Sequence, residues 1–196
     1  FLKNKKKNRL IIHFDTGMCR LGIQEKDIIE VIKLKTQIDK FKEVIIMSHL
    51  ACAGEKKDPF NEIQRKKFEK IKMLLPGYKY SLAASGGIFL GKKYHYDLVR
   101  PGINLYGGSK SYHKNLKHVV SLKSPIIQIN ELKKGQTAGY SRTFKAKKNM
   151  TTATISLGYA DVIGIRLSNK VFVNFKIKKF LMLGRISMDF IIIDLT

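Results

Sequence analysis

The chain reads as an α/β unit followed by an all-β unit. Three observations carry this. Short apolar, β-branched runs alternate with amphipathic helical segments through the first 118 residues. Helical periodicity then disappears, and strand-like runs follow one another. In the first part, small residues and glycines sit directly after the apolar runs. With 196 residues, 44% of them apolar, the chain can bury a core in one or two domains.

Leu10-Ile11-Ile12-His13-Phe14 predicts a buried strand. Glu25 to Lys40 predicts a helix with Ile28, Val31, Ile32 and Ile38 near one face. Glu43 to Ser48 predicts the next strand. Asp58-Pro59 predicts a helix start, with Asp as N-cap and Pro in the first turn. That helix would turn Phe60, Ile63, Phe68, Ile71, Leu74 and Leu75 inward and end at Pro76-Gly77. Tyr80–Ala83 and Asp97–Arg100 predict a third and a fourth strand. Strands alternating with helices predict a parallel sheet built from βα units. From residue 119 onward, Val119–Asn130, Thr151–Leu157, Val171–Phe175, Phe180–Leu183 and Phe190–Leu195 predict a mostly antiparallel β domain. The domains expected are therefore 1–118 and 119–196.

No stretch approaches the ~18 consecutive apolar residues of a membrane span. No apolar segment follows the basic N-terminal residues, so no signal peptide is expected. Cys19 and Cys52 form neither a disulfide framework nor a CxxC pair, which fits a reducing cytoplasm. The net charge of +23 raises nucleic-acid binding as a possibility. The excess is dispersed: 25 basic and 11 acidic residues in 1–118, 13 and 4 in 119–196, with one dense run at Lys3–Lys7. A dedicated nucleic-acid binder concentrates its charge on one face, so this dispersal argues against that role.

Several strand ends carry chemistry-bearing residues. Asp15-Thr16-Gly17-Met18-Cys19-Arg20-Leu21-Gly22 reads equally as an anion site and as a plain strand-to-helix turn. His49, in Ser48-His49-Leu50-Ala51, reads as a site residue or a satisfied core imidazole. Ser85-Gly86-Gly87 can cradle a phosphate with a hydroxyl and bare amides, or simply turn the chain. Arg100, at the end of a buried strand, needs a fixed acceptor. The β domain adds Gly139-Tyr140-Ser141-Arg142-Thr143, Gly158-Tyr159-Ala160-Asp161 and Gly184-Arg185-Ile186-Ser187-Met188-Asp189. Each tyrosine there also reads as a strand-end aromatic.

Taken together, in order, these segments resemble alanine racemase, the pyridoxal-phosphate enzyme that interconverts L- and D-alanine. Seven motifs match from Asp15-Thr16-Gly17-Met18 to Gly184-Arg185-Ile186-Ser187-Met188-Asp189, including Arg100-Pro101-Gly102-Ile103-Asn104-Leu105-Tyr106-Gly107. The resemblance implies the later part of a (β/α)8 barrel followed by a β domain, with pyridoxal 5'-phosphate at the barrel mouth. It implies two-base proton transfer at the α-carbon of alanine, supplying D-alanine for peptidoglycan, in a homodimer that shares its active sites.

Residue by residue, it implies that Tyr140 is one acid/base group and reaches the barrel of a second copy. His49 links that tyrosine to Arg100, which faces the pyridine nitrogen. A guanidinium only donates, so the ring nitrogen stays unprotonated and the ring is a weaker electron sink, which favours racemisation over transamination. Ser85, Gly102 and Ile103 match phosphate contacts. Arg20, Met188 and Tyr159 match groups at the substrate end.

The sequence also departs from the pattern. The family's Schiff-base lysine motif, Ala-x-x-Lys-Ala-x-Ala-Tyr-Gly-His-Gly, has no counterpart in residues 1–196. The resemblance then implies a fragment, which by itself should not racemise alanine. The Phe1 start and the apolar run at Ile191–Leu195 agree with that expectation. A fragment with half a barrel would also carry unpaired strand edges and tend to aggregate. His13 stands where many members have a lysine, and Ala84 where an asparagine often precedes the phosphate serine. Two alternatives stand beside this reading. One is a related racemase or decarboxylase for another amino acid, against which the Arg-Pro-Gly-Ile and Gly-Tyr-Ala-Asp motifs favour alanine. The other is a non-catalytic remnant or basic binding protein that uses Lys3–Lys7.

Overall fold

A computed structural model of the protein describes residues 7–108 and 116–196; of the run Lys3–Lys7, only Lys7 falls within them. Two compact units are present, Phe1–Ser121 and Leu122–Thr196.

In the first unit, strands β1 (Arg9–His13), β2 (Glu43–Met47) and β3 (Lys79–Ser81) form a parallel sheet in the order β1-β2-β3. Ile12 pairs with Ile46, and Ile46 with Tyr80. The helix α3 (Phe60–Leu74) packs Phe68 and Ile71, with Leu75 just beyond its end, into a core with Phe14, Ile46 and Leu82. Phe68 sits edge-on to Tyr80 and Tyr96, with centroids 6.4 and 5.1 Å apart. The Asp58 carboxylate accepts the Phe60 amide at 2.8 Å, capping the helix as expected, while Pro59 occupies the boundary position.

Three elements differ from expectation, each for a local reason. The predicted helix over Glu25–Lys40 is broken into a 3-10 turn (Glu25–Asp27), α1 (Ile28–Lys33) and α2 (Lys35–Ile38). Leu34 leaves helical geometry, at φ −87° and ψ 3°. The β-branched Ile28, Ile29, Val31, Ile32 and Thr36 lower the cost of such a break. The predicted fourth strand is a single bridge between Ala84 and Arg100. The Asp97 side chain takes the Tyr80 amide at 2.8 Å, a donor that a strand neighbour's carbonyl would otherwise use, and Pro101 ends the pairing. Finally, α3 buries Asn61, Gln64, Phe68 and Ile71, whereas Ile63 and Leu74 face outward.

The second unit is an antiparallel sheet of β4 (Ile126–Leu132), β7 (Met150–Ile155), β8 (Phe172–Phe175), β9 (Lys178–Leu183) and β10 (Ile191–Asp194), ordered β4-β7-β10-β9-β8. A small ladder joins β5 (Thr137–Ala138) to β6 (Phe144–Lys145). Residues 119–125, expected in a strand, lie outside it. Period-two alternation buries Ile191 and Ile193 against Ala153, Ile155 and Met182. A short helix, α4 (Ser85–Ile88), completes the first unit's strand ends.

Phe68→Ala should cost about 3–5 kcal/mol of stability, while Ile63→Ala on the outward face should change it by no more than about 0.5 kcal/mol. Urea unfolding followed by circular dichroism measures both; equal losses would contradict the orientation of α3.

Candidate functional site

The first unit gathers its polar residues where its parallel strands end. Arg100 arrives there by the bridge from Ala84, and its guanidinium enters a cage of neutral acceptors. One terminal nitrogen donates to the Ser81 carbonyl at 3.0 Å and to the Ser81 hydroxyl at 2.5 Å. The other donates to the Ser48 carbonyl at 2.6 Å and the Leu82 carbonyl at 3.4 Å. The acceptor expected of Arg100 is thus peptide oxygen and hydroxyl, with no carboxylate among these contacts. Burial pushes its pKa below the ordinary arginine value, yet a guanidinium remains a cation at any working pH.

A second cluster lies beside it. Thr16 and Ser48 share a hydroxyl hydrogen bond of 2.8 Å, and Gln64 of α3 donates to Thr16 at 3.1 Å. The Gln64 amide also donates to the His49 carbonyl and accepts the Ala51 amide, at 3.0 and 2.8 Å. Gln64 is fully buried, so every one of these bonds is made away from water. Their joint effect is to fix the chain on both sides of His49. Before them, the Asp15 carboxylate folds its own loop by accepting Gly17 and Cys19 amides, at 2.8 and 3.2 Å. Burial raises the Asp15 pKa, but these amides and Gln24 outweigh it and hold the group below the usual carboxylate range.

His49 is half-buried, and its pKa is lowered by burial first, then by the positive charges of Arg100, Arg20 and His13. His13 at the end of β1 is lowered too, by burial and by Arg100, with Asp15 acting in the opposite sense. Both imidazoles are therefore held neutral at pH 7.

Around these groups lies a cavity of about 550 Å³. His49, Ser85, Arg100, Gly102 and Ile103 all line it, together with Met18. The Ser85 hydroxyl accepts the Gly102 amide at 2.7 Å, and Asn104 donates to the Ser85 carbonyl at 2.9 Å, so the two segments form one wall. A Cβ on Gly86 would stand 2.9 Å from the Ala53 carbonyl oxygen, so only glycine lets that wall close on the next loop. Arg20 is exposed on the loop after β1 and does not line the cavity.

In the second unit, Tyr140 is 69% exposed and borders a hollow of about 390 Å³ with Arg185, Ser187 and Phe190. Tyr159 and Met188 come together through backbone bonds. The Tyr159 amide donates to the Ser187 carbonyl and the Ala160 amide to the Met188 carbonyl, both at 3.0 Å. A Cβ on Gly158 would collide with the Met188 carbonyl, which explains the glycine. The predicted residues thus fall into two sets, one in each unit.

Gln64, Ser81 and Asn104 were not singled out from the sequence. Gln64 was legible in principle: Asn61, Gln64, Phe68, Ile71 and Leu75 recur at spacings of three and four, placing two amides in line with core positions. Among the described residues there is no cluster of His, Cys, Asp and Glu able to hold a metal ion, and no helix long and apolar enough to cross a membrane.

Parallel βα units with a cavity at their strand ends, in one chain with an antiparallel β unit, are the elements from which proteins that join a β/α barrel to a β domain are built. Comparison with known proteins narrows this to one family. Residues 2–110 match the family model "Alanine racemase, N-terminal domain" and residues 119–196 match "Alanine racemase, C-terminal domain". The chain belongs to the alanine racemase family. It is 39% identical over 197 residues to the alanine racemase of Rickettsia bellii, covering 97% of this chain and 48% of that protein. It is 41% identical to that of Rickettsia canadensis, covering 94% and 51%. The crystal structure of alanine racemase from Bartonella henselae with covalently bound pyridoxal phosphate matches at TM-score 0.83 and 40% identity, over 99% of this chain and 55% of that one. The biosynthetic alanine racemase of Pseudomonas aeruginosa matches at TM-score 0.89 and 28% identity, over 98% and 55%. The chain therefore spans about half the length of the relatives it matches, and holds part of the barrel followed by the β domain.

The lowered histidine pKa values have a sign. Folded protein binds fewer protons than unfolded protein between the depressed values and 6.5, the ordinary histidine pKa. Stability should hold above that window and fall as pH drops through it. Arg100→Gln should move the His49 titration upward toward 6.5, read by NMR of the imidazole protons. An unmoved midpoint would show that burial alone sets it.

Proposed function

We propose that this chain is the later-barrel and β-domain portion of a pyridoxal-phosphate-dependent alanine racemase, with residues 1–118 as barrel and 119–196 as β domain. The observation that carries the proposal is the cavity at the strand ends. It unites a hydroxyl, glycine-bared backbone and a cation held without a carboxylate.

That donor set fits the cofactor. Ser85 and the backbone of Gly102 and Ile103 would hold its phosphate, and Arg100 would face its ring nitrogen. Having only donors, Arg100 keeps that nitrogen unprotonated. When bound, pyridoxal phosphate withdraws electron density from the substrate's α-carbon, making its proton removable. His49, neutral and fixed through its backbone by Gln64, stands ready to hydrogen-bond a neighbour of the ring. Tyr140 takes and returns a proton at its phenolic oxygen. Arg20 would stand near the cofactor's phenolic oxygen and the substrate carboxylate, and Tyr159 and Met188 would serve the substrate end, with the Met188 amide near the carboxylate. The working form is a homodimer in which Tyr140 serves the barrel of a second copy; its exposure in the second unit supports that role. The second base and covalent anchor, a lysine in the family, matches no position in residues 1–196. The reading places the enzyme in the cytoplasm and its product in peptidoglycan synthesis.

Borohydride reduction of the protein from its own cells, followed by intact mass, should show a phosphopyridoxyl adduct on a product well above 22.4 kDa; a product of that larger mass without the adduct would overturn the proposal. In that protein Tyr140→Phe should lower racemisation about 10²–10⁴-fold, the range for losing one acid/base group, while leaving the adduct intact. A D-alanine-forming assay checks the first part and mass the second.

A further inference from the structure

The cavity has a second wall, of which only Ala51 lies in the motifs above. It is the loop of residues 51–57, and two buried amides of α3 hold it rigid. Gln64 accepts the Ala51 amide at 2.8 Å. Asn61, 2% exposed, donates to both the Cys52 carbonyl at 3.1 Å and the Glu55 carbonyl at 3.0 Å. The loop closes on itself through the Glu55 amide to the Cys52 carbonyl at 2.8 Å. It also touches the opposite wall, where Ala53 meets Gly86 so closely that no side chain fits between. Ala51, Ala53, Gly54 and Lys56 of this loop line the same cavity as Ser85, Gly102 and Ile103.

Charge singles out one of these residues. The cavity lining contains two permanent cations, Arg100 and Lys56, and no carboxylate. Both terminal nitrogens of Arg100 are already committed to Ser48, Ser81 and Leu82. Lys56 makes no ion pair among the described residues. A hydroxyl and neutral amides can orient a phosphate dianion but cannot neutralise it. A lysine ammonium supplies a mobile point charge that can.

We infer that Lys56 is a further binding residue for the phosphate group of the ligand in this cavity, carried there by the Asn61- and Gln64-clamped loop. The inference rests on the proposed function, because that reading supplies the phosphate. The test is equilibrium dialysis, which reads binding without turnover. Two probes are used on the protein from its own cells and its variants: pyridoxal 5'-phosphate and pyridoxal, which lacks the phosphate. Lys56→Gln should weaken pyridoxal phosphate about fivefold, the scale of a partly screened charge contact, and leave pyridoxal unchanged. Lys56→Arg should restore affinity to within about twofold, and raising salt should shrink the difference between wild type and Lys56→Gln. Equal loss for both probes would make Lys56 a wall residue only and overturn the inference, as would no loss for either. If folded wild-type protein retained no pyridoxal phosphate, the proposed function itself would fall, and the inference with it.

Discussion

An arginine drawn into the end of a sheet must recover in hydrogen bonds what it loses in hydration, and Arg100 does so almost entirely from peptide carbonyls. Those carbonyls belong to the residues that follow β2 and β3, and to Ser81 within β3. The guanidinium therefore does for the ends of these strands what a fourth full strand would do along their length. It ties Ser48, Ser81 and Leu82 to the chain segment that leads into Gly102. The predicted strand there is only a bridge, and the Arg100 side chain adds to the few backbone bonds that hold the segment, the Leu98 amide on the Tyr80 carbonyl at 3.2 Å and the Arg100 amide on the Ala83 carbonyl at 2.9 Å. Truncating the side chain would strand the buried Ser48 and Leu82 carbonyls, a loss of about 1–3 kcal/mol for each, while the Ser81 carbonyl keeps the Ser48 amide at 3.1 Å.

Because the cage is uncharged, the positive charge of Arg100 is not cancelled locally. It spreads to its neighbours and keeps His13 and His49 neutral together with the burial they share. A carboxylate among those acceptors would cancel that charge and leave burial, the larger cause, to lower both imidazoles. The strand ends are thus a region of positive potential carrying neutral, hydrogen-bonding imidazoles. Such a region attracts an anion, and its imidazoles, held below the ordinary histidine pKa, are weaker proton acceptors than free histidine. In the proposed reaction the proton-transfer group is the exposed Tyr140 of the second unit, a phenol with room around it.

The sheet classes of both units were legible because they rest on periodicity. The alternation of Ile191 and Ile193 against solvent, and the apolar runs at Leu10–Phe14 and Glu43–Met47, are local patterns. The broken helix after Glu25 was not legible, because the break depends on Leu34 leaving helical geometry while Ile38 still packs inward. Nor was the reduced fourth strand, since nothing in Asp97 itself announces that its carboxylate will bind the Tyr80 amide 17 positions away. At the site, Ser85, Gly102 and His49 could be picked out as strand-end residues. Gln64 and Asn61 could not be picked out by residue type, because amides on a helix usually face water. Only their spacing with Phe68 and Ile71 hinted that they face the core.

The large net charge is a weak guide to function. Most of the lysines are exposed, and at physiological salt an exposed charge is screened within about 8 Å. Dozens of such charges produce a diffuse attraction for any polyanion, with no preference for a small ligand. Selectivity instead comes from the few cations whose surroundings are dry or rigid. Arg100 meets that condition through its carbonyl cage; Lys56 is exposed, and it is the backbone beneath it that Asn61 and Gln64 hold against Gly86. Two positive groups of unlike type then serve one cavity. The planar guanidinium has both terminal nitrogens committed to the fold, and the flexible ammonium, which makes no ion pair among the described residues, can answer the negative charge that arrives. In a chain with this many lysines, where the backbone is fixed decides which of them acts.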